Sequence, residues 1–105
     1  MLLYVEKADT FFKRLIGLMG RESLPTSHGL LLSPCCSIHM LFMRFPIDAV
    51  FLDRNFKITK IVRHLKPWLG FAFSFDSFSV LELNAGEASR LHLSIGQSLM
   101  LEIVT

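Results

Sequence analysis

Residues 35–48 place Cys35, Cys36, His39, Arg44 and Asp48 among mostly apolar neighbours, and these side chains could handle a proton, a metal or an anion. His39 could act as a general base, a metal ligand or a hydrogen-bonded core residue, and the apolar run around it favours the core. Pairing His39 with Cys36 as a nucleophile would require the backbone to bend, because alternate residues of a strand face opposite ways. A metal centre would draw on His28, Cys35, Cys36 and His39, but no second ligand pair stands at a recognised spacing, so none is expected. Arg44 and Asp48 flank Pro46, so a chain reversal there would join guanidinium and carboxylate as a brace. Alternatively Arg44, with Arg14 or Arg21, would receive a carboxylate, a phosphate or a sugar hydroxyl. Further on, Trp68 follows Pro67 and could stack on a flat ligand. Glu82 faces away from Leu81 and Leu83, toward a buried ion pair with Arg14 or Arg44, or with Asp48 toward acid and base roles in hydrolysis.

Short elements must position these groups. Leu2 to Glu6 reads as a strand, and Phe12, Leu15, Ile16 and Met19 recur at helical spacing after a capping Thr10. Gly20 stops that helix. Gly29 to Leu32 and Asp48 to Asp53 read as strands, with the run from Ser37 to Met43 extended or irregular before Pro46. Asp53-Arg54-Asn55 is turn chemistry, which makes the following alternation the return arm of a hairpin. Residues 64–76 have no clear period and read as a covering loop, within which Phe71, Phe73 and Phe75 form either a buried strand face or an exposed stripe. With no polar rim around them, the core is expected. Ser77 to Leu83 is a further strand. Asn84 and Glu87 stand at capping-box spacing for a short helix over 85–91, and Gln97 to Val104 closes the chain.

These elements give a mainly β (α+β) class: an antiparallel sheet, barrel-like or sandwich in form, with two short helices. At 105 residues, 51% of them hydrophobic and ten of them Phe, the chain makes one domain over residues 1–105 with an ample core. A net charge of +2 with dispersed Lys and Arg argues against nucleic acid as a partner. The longest stretch without Lys, Arg, Asp or Glu, from Ser23 to Met43, is broken by prolines, serines and histidines, so no membrane span is expected. Met1 to Lys7 lacks the pattern of a secretory leader, and two adjacent cysteines form a bridge only with strain, so a cytoplasmic setting with free thiols is expected.

Several ordered motifs resemble one family, the bacterial and archaeal domain of unknown function 192. They are Arg14-x-x-Gly17-Leu18-Met19-x-Arg21, Gly29-Leu30-Leu31, Ile38-His39 and Met43-Arg44-Phe45-Pro46-Ile47-Asp48-x-x-Phe51-Leu52-Asp53. Pro67-Trp68, Leu81-Glu82-Leu83-x-Ala85-Gly86 and Gly96 follow in order. The resemblance implies a compact β-sandwich-like fold with two short helices and implies no activity. Met40 stands where such relatives commonly carry Thr, and Gln97 where they usually carry Asp.

Arg14, His39, Arg44, Asp48, Trp68 and Glu82 therefore form the expected polar cluster, for ligand binding or for structure. No nucleophile and base set stands at a recognisable spacing. The expected role is a non-enzymatic ligand-binding or accessory module without cofactor, a monomer or homodimer whose partner is a small molecule or a protein. The alternative is a small hydrolase using His39 with Asp48 or Glu82.

Overall fold

The computed structural model describes residues 2–8, 10 and 17–104. Eight strands are found among them: β1 (Leu2–Ala8), β2 (His28–Leu32), β3 (Ser37–His39), β4 (Ile47–Leu52), β5 (Ile58–Leu65), β6 (Phe71–Phe73), β7 (Ser79–Asn84) and β8 (Met100–Ile103). One short helix, α1 (Glu87–Arg90), lies between β7 and β8. The helix expected from Thr10 falls mainly on residues outside the described ones, and residues 17–20 form turns.

Six strands make one sheet in the order β5-β4-β7-β2-β1-β8, and β3 pairs with β6 in a separate two-stranded ribbon. The mainly β class holds, but two finer expectations do not. The large sheet is mixed, because β1 runs parallel to both β2 and β8. Nor is it a closed barrel. Its edge strands approach at one end only, where Ile58 N–H donates to Gln97 O, Gly96 N–H to Ile58 O and Leu99 N–H to Phe56 O. That contact holds one isolated bridge, Lys57 to Ser98, and no ladder joins β5 to β8.

The middle of the sheet is covered on both faces, which is why β4 is buried at every position and β7 at all but the last. Ile47, Ala49, Phe51, Leu30, Leu32 and Val80 face the ribbon and the irregular segments beside it, packing with Leu18, Leu24, Ile38, Met40, Met43, Phe45 and Ala72. Val50, Leu52, Leu31, Leu81 and Leu83 face the other way, onto Ala88 of α1 and onto Leu93 and Leu99. Gly29 lies so close to this second layer that a Cβ there would stand 2.8 Å from side-chain atoms of both Leu81 and Leu83.

The ribbon falls where a covering loop was expected. Its inner face is Ile38 and Ala72, which are paired and buried. Because strand residues alternate, Ser37, His39, Phe71 and Phe73 then point outward. The aromatic stripe expected in the core is thus turned to solvent, with Phe71 66% and Phe75 89% exposed.

Candidate functional site

Asp48 is fully buried in β4 and accepts from three backbone N–H groups. Pairing with β5 shifts register between Ile47 and Ala49, and His64 there adopts a positive φ of 54°. That irregularity turns the His64 N–H to Asp48 Oδ1 at 3.0 Å. Asp48 Oδ2 accepts from Gly86 N–H at 3.0 Å and Ala88 N–H at 2.9 Å, at the start of α1. The expected capping box is therefore not formed. Gly86 is the N-cap and makes no side-chain cap, and Asp48 from a distant strand satisfies the orphan donors instead.

Asn84, expected to cap that helix, reaches the other way. Its Oδ1 accepts from Leu24 N–H and its Nδ2 donates to Leu24 O. Glu87 adds a second clamp on the same loop, accepting from Ser27 N–H and from Arg90. Burial pushes the Glu87 carboxyl up, but the Arg90 and Ser27 hydrogen bonds outweigh it and hold it below the usual range. The loop before β2 is thereby fastened to the start of α1.

Glu82 is the second buried acid of the sheet. It pairs in register with Ala49 and Leu30, whereas Asp48 pairs with Leu83, so the two carboxyls sit on opposite faces. Glu82 is 3% exposed, and its Oε1 has no hydrogen-bond partner among the described residues. Burial pushes its carboxyl up to about 8, with the charge of Arg21 pulling against it. Arg21 itself is occupied at the surface by Glu6 at 2.6 Å. An acid in this state is mostly protonated at neutral pH.

Arg44 joins neither carboxyl. It is exposed, with Glu22 3.6 Å away, so the expected Arg44–Asp48 brace is replaced by the three backbone donors around Asp48. Arg14 lies outside the described residues. His39 is half-buried on the outer face of the ribbon opposite Phe71, and its Nδ1 accepts from Leu41 N–H at 3.2 Å. It points away from the large sheet in which Asp48 and Glu82 are buried, so neither pair of the alternative hydrolase, His39 with Asp48 or His39 with Glu82, meets at an open cleft. Cys35 and Cys36 are not bridged, and the Cys35 thiol donates to Ser37 O. Among the described residues no three His, Cys, Asp or Glu groups cluster closely enough to hold a metal ion. A shallow, open depression of about 370 Å³ lies between turns 53–55 and 75–78, and none of the expected site residues lines it.

Beside the ribbon, the expected Trp68 stands with exposed apolar residues that sequence reasoning did not join to it. Trp68 is 53% exposed and meets the Phe42 ring edge-on at 4.9 Å between centroids. Leu41, Leu69 and Phe71 are exposed around them. The two turns are stitched together: Trp68 N–H donates to Met40 O, Met40 N–H to Gly70 O, and Gly70 N–H to Lys66 O. Gly70 permits this contact, since a Cβ there would stand 2.6 Å from Met40 Cγ and 3.0 Å from Lys66 O. One signal was available in the sequence: residues 54–75 contain no Asp or Glu and carry Arg54, Lys57, Lys60, Arg63 and Lys66 among their aromatics.

The DUF192 family model, described as "Uncharacterized ACR", matches residues 2–101. The chain belongs to this family. It is 31% identical over 103 residues to a UPF0127 protein of Thermococcus sibiricus, covering 94% of this chain and 66% of that relative, just under two thirds of its length. A crystal structure of a protein of unknown function from Novosphingobium aromaticivorans is similar with a TM-score of 0.80 at 26% identity, over 88% of this chain and 70% of the other. A second, from Sinorhizobium meliloti and provisionally described as a transcription regulator, is similar with a TM-score of 0.82 at 31% identity, over 88% and 76%. The family is one of unknown function, and nothing in these comparisons indicates a hydrolase.

Among the described residues no helix is long and apolar enough to cross a membrane.

Proposed function

We propose that this chain is a non-enzymatic binding or accessory module whose contact surface is the outer face of the β3–β6 ribbon with the turns at 40–42 and 67–70. One observation carries the reading: large apolar side chains stand in solvent at Phe42, Trp68, Leu69 and Phe71, while the buried acids are engaged or sealed in the sheet. His39 and Trp68, two members of the expected cluster, belong to this surface, with Arg44 beside it. Asp48 and Glu82 belong to the frame behind it. The partner is a macromolecular surface or a flat apolar ligand, because the open ribbon offers area and no enclosure. Regulators of transcription, the description given to one structural neighbour, also act by contact. The unbridged adjacent cysteines suit a reducing, cytoplasmic setting.

The test is a search for turnover. The purified chain is offered activated esters and phosphoesters beside His39→Ala and Glu82→Gln variants. The expected result is no rate that either substitution removes. A turnover lost in Glu82→Gln or His39→Ala with the melting temperature retained would overturn the reading.

A further inference from the structure

The residues that project at the tips of the two stitched turns are of two chemical kinds. Leu41, Phe42, Trp68 and Leu69 are apolar and 49%, 57%, 53% and 83% exposed. Arg44 follows one turn and Lys66 starts the other, and both are exposed. Phe42 and Trp68 both hold left-handed backbone, with φ of 62° and 69°, a conformation that bulky residues rarely adopt. The fold thus keeps backbone strain at the two positions that present the aromatic rings.

Charge around this surface is uneven. The basic run of residues 54–75 has no acid within it, and between Ser23 and Ile47 the only charged residue is Arg44. Among the described residues, Glu22 lies beside Arg44, and Asp53 and Asp76 lie by Phe75 at the other end of the ribbon. At the tips, apolar groups are therefore bordered by cations.

We propose that these paired turns dock peripherally on an anionic bilayer surface, with Leu41, Phe42, Trp68 and Leu69 entering the interface and Arg44 and Lys66 facing its phosphates. Trp and Phe are suited to the headgroup boundary, where an aromatic body meets a wet, polar layer. Binding of this kind combines buried apolar area with attraction to anionic lipid and needs no spanning segment. Single-stranded nucleic acid, the other partner of basic aromatic surfaces, is taken up by stacking on aromatic faces. Leu41 and Leu69 offer no such face, and they are at the tips. This inference rests on the reading of the ribbon as a contact surface and names the class of its partner.

Trp68 is the sole tryptophan, so its emission reports the tips directly. The full chain is titrated with phosphatidylcholine vesicles with and without phosphatidylglycerol, followed by sedimentation and by Trp68 fluorescence. Expected are co-sedimentation with the anionic vesicles only, a blue shift of Trp68 and release by salt. Leu69→Ser weakens binding about tenfold or more and Lys66→Ala about fivefold, with melting temperatures unchanged. No blue shift with anionic vesicles, or equal binding to both vesicle types, overturns the proposal. So does a concentration-dependent dimer that buries Trp68, or quenching of Trp68 by a single-stranded oligonucleotide in place of vesicles. Either of these last two leaves the ribbon standing as a contact surface, whereas turnover lost in His39→Ala or Glu82→Gln removes that reading itself.

Discussion

Two regions of this molecule invert the usual arrangement of polar and apolar groups, in opposite senses. The large sheet carries Asp48 and Glu82 inside, and the ribbon carries Phe71, Trp68 and Leu69 outside. The inversions differ in what compensates them. Asp48 is surrounded by three backbone donors that have no other strand partner, so its burial completes the fold. Glu82 is compensated by holding its proton. On the ribbon and its turns the ring pairs are Phe42 against Trp68 and Phe73 against Phe75, and Phe42, Trp68, Phe71 and Phe75 remain exposed. The buried acids are accommodated by the fold, and the exposed apolar groups are the surface proposed for a partner.

The largest expected effect comes from breaking the Asp48 clamp. Asp48→Ala leaves the N–H groups of His64, Gly86 and Ala88 without their acceptor and lowers stability by about 3 kcal/mol or more in urea unfolding. Asp48→Asn falls between that variant and the parent, because the amide presents a donor where one carboxylate oxygen accepted. A loss below about 1 kcal/mol for the alanine variant would mean that Asp48 is not the brace of this fold.

The Glu82 carboxyl gives a pH dependence of definite sign. Its folded value of about 8 lies above the ordinary 4.5, so the folded chain keeps a proton that the unfolded chain releases. This contribution is complete below about pH 4.5 and is lost as pH rises toward 8, on the order of 3 kcal/mol by pH 7. Glu82→Gln cannot ionise and removes that slope. Urea midpoints of the two proteins at pH 5 and pH 8 should diverge, with the variant relatively more stable at pH 8. Parallel midpoints at both values would show that Glu82 is ionised and paired in the folded state.

Arg44→Ala sharpens the contrast from the other side. Its only ion pair among the described residues is the exposed contact with Glu22, so the loss should stay within about 0.5 kcal/mol by thermal melting. A cost of several kcal/mol would restore the buried brace that the sequence suggested.

Local signals were legible in the sequence. Runs of apolar residues located most strands, and Asp53 makes the turn its position implies, accepting from Asn55 and Lys57 N–H. Glu82 does face away from Leu81 and Leu83. What could not be read depends on residues far apart in number. The partners of Asp48 come from residues 64, 86 and 88, and the parallel partners of β1 come from residues 28–32 and 100–103. The alternation of Phe71, Phe73 and Phe75 is the same whichever side faces the core. Only the pairing of Ala72 with Ile38 over the sheet decides that the rings point outward. Arg44 and Asp48 were expected to meet because they flank Pro46, yet Asp48 lies in a strand buried on both faces and Arg44 in an exposed bend.

One measurement places the two inversions side by side. Urea unfolding followed by circular dichroism compares the parent with Asp48→Ala and with a triple variant, Trp68→Ser, Leu69→Ser and Phe71→Ser. The triple variant is expected to stay within about 1 kcal/mol of the parent, while Asp48→Ala loses about 3 kcal/mol or more. A triple variant that unfolds as readily as Asp48→Ala would show that the ribbon's outer face holds the fold together, and would contradict its reading as a surface kept for a partner.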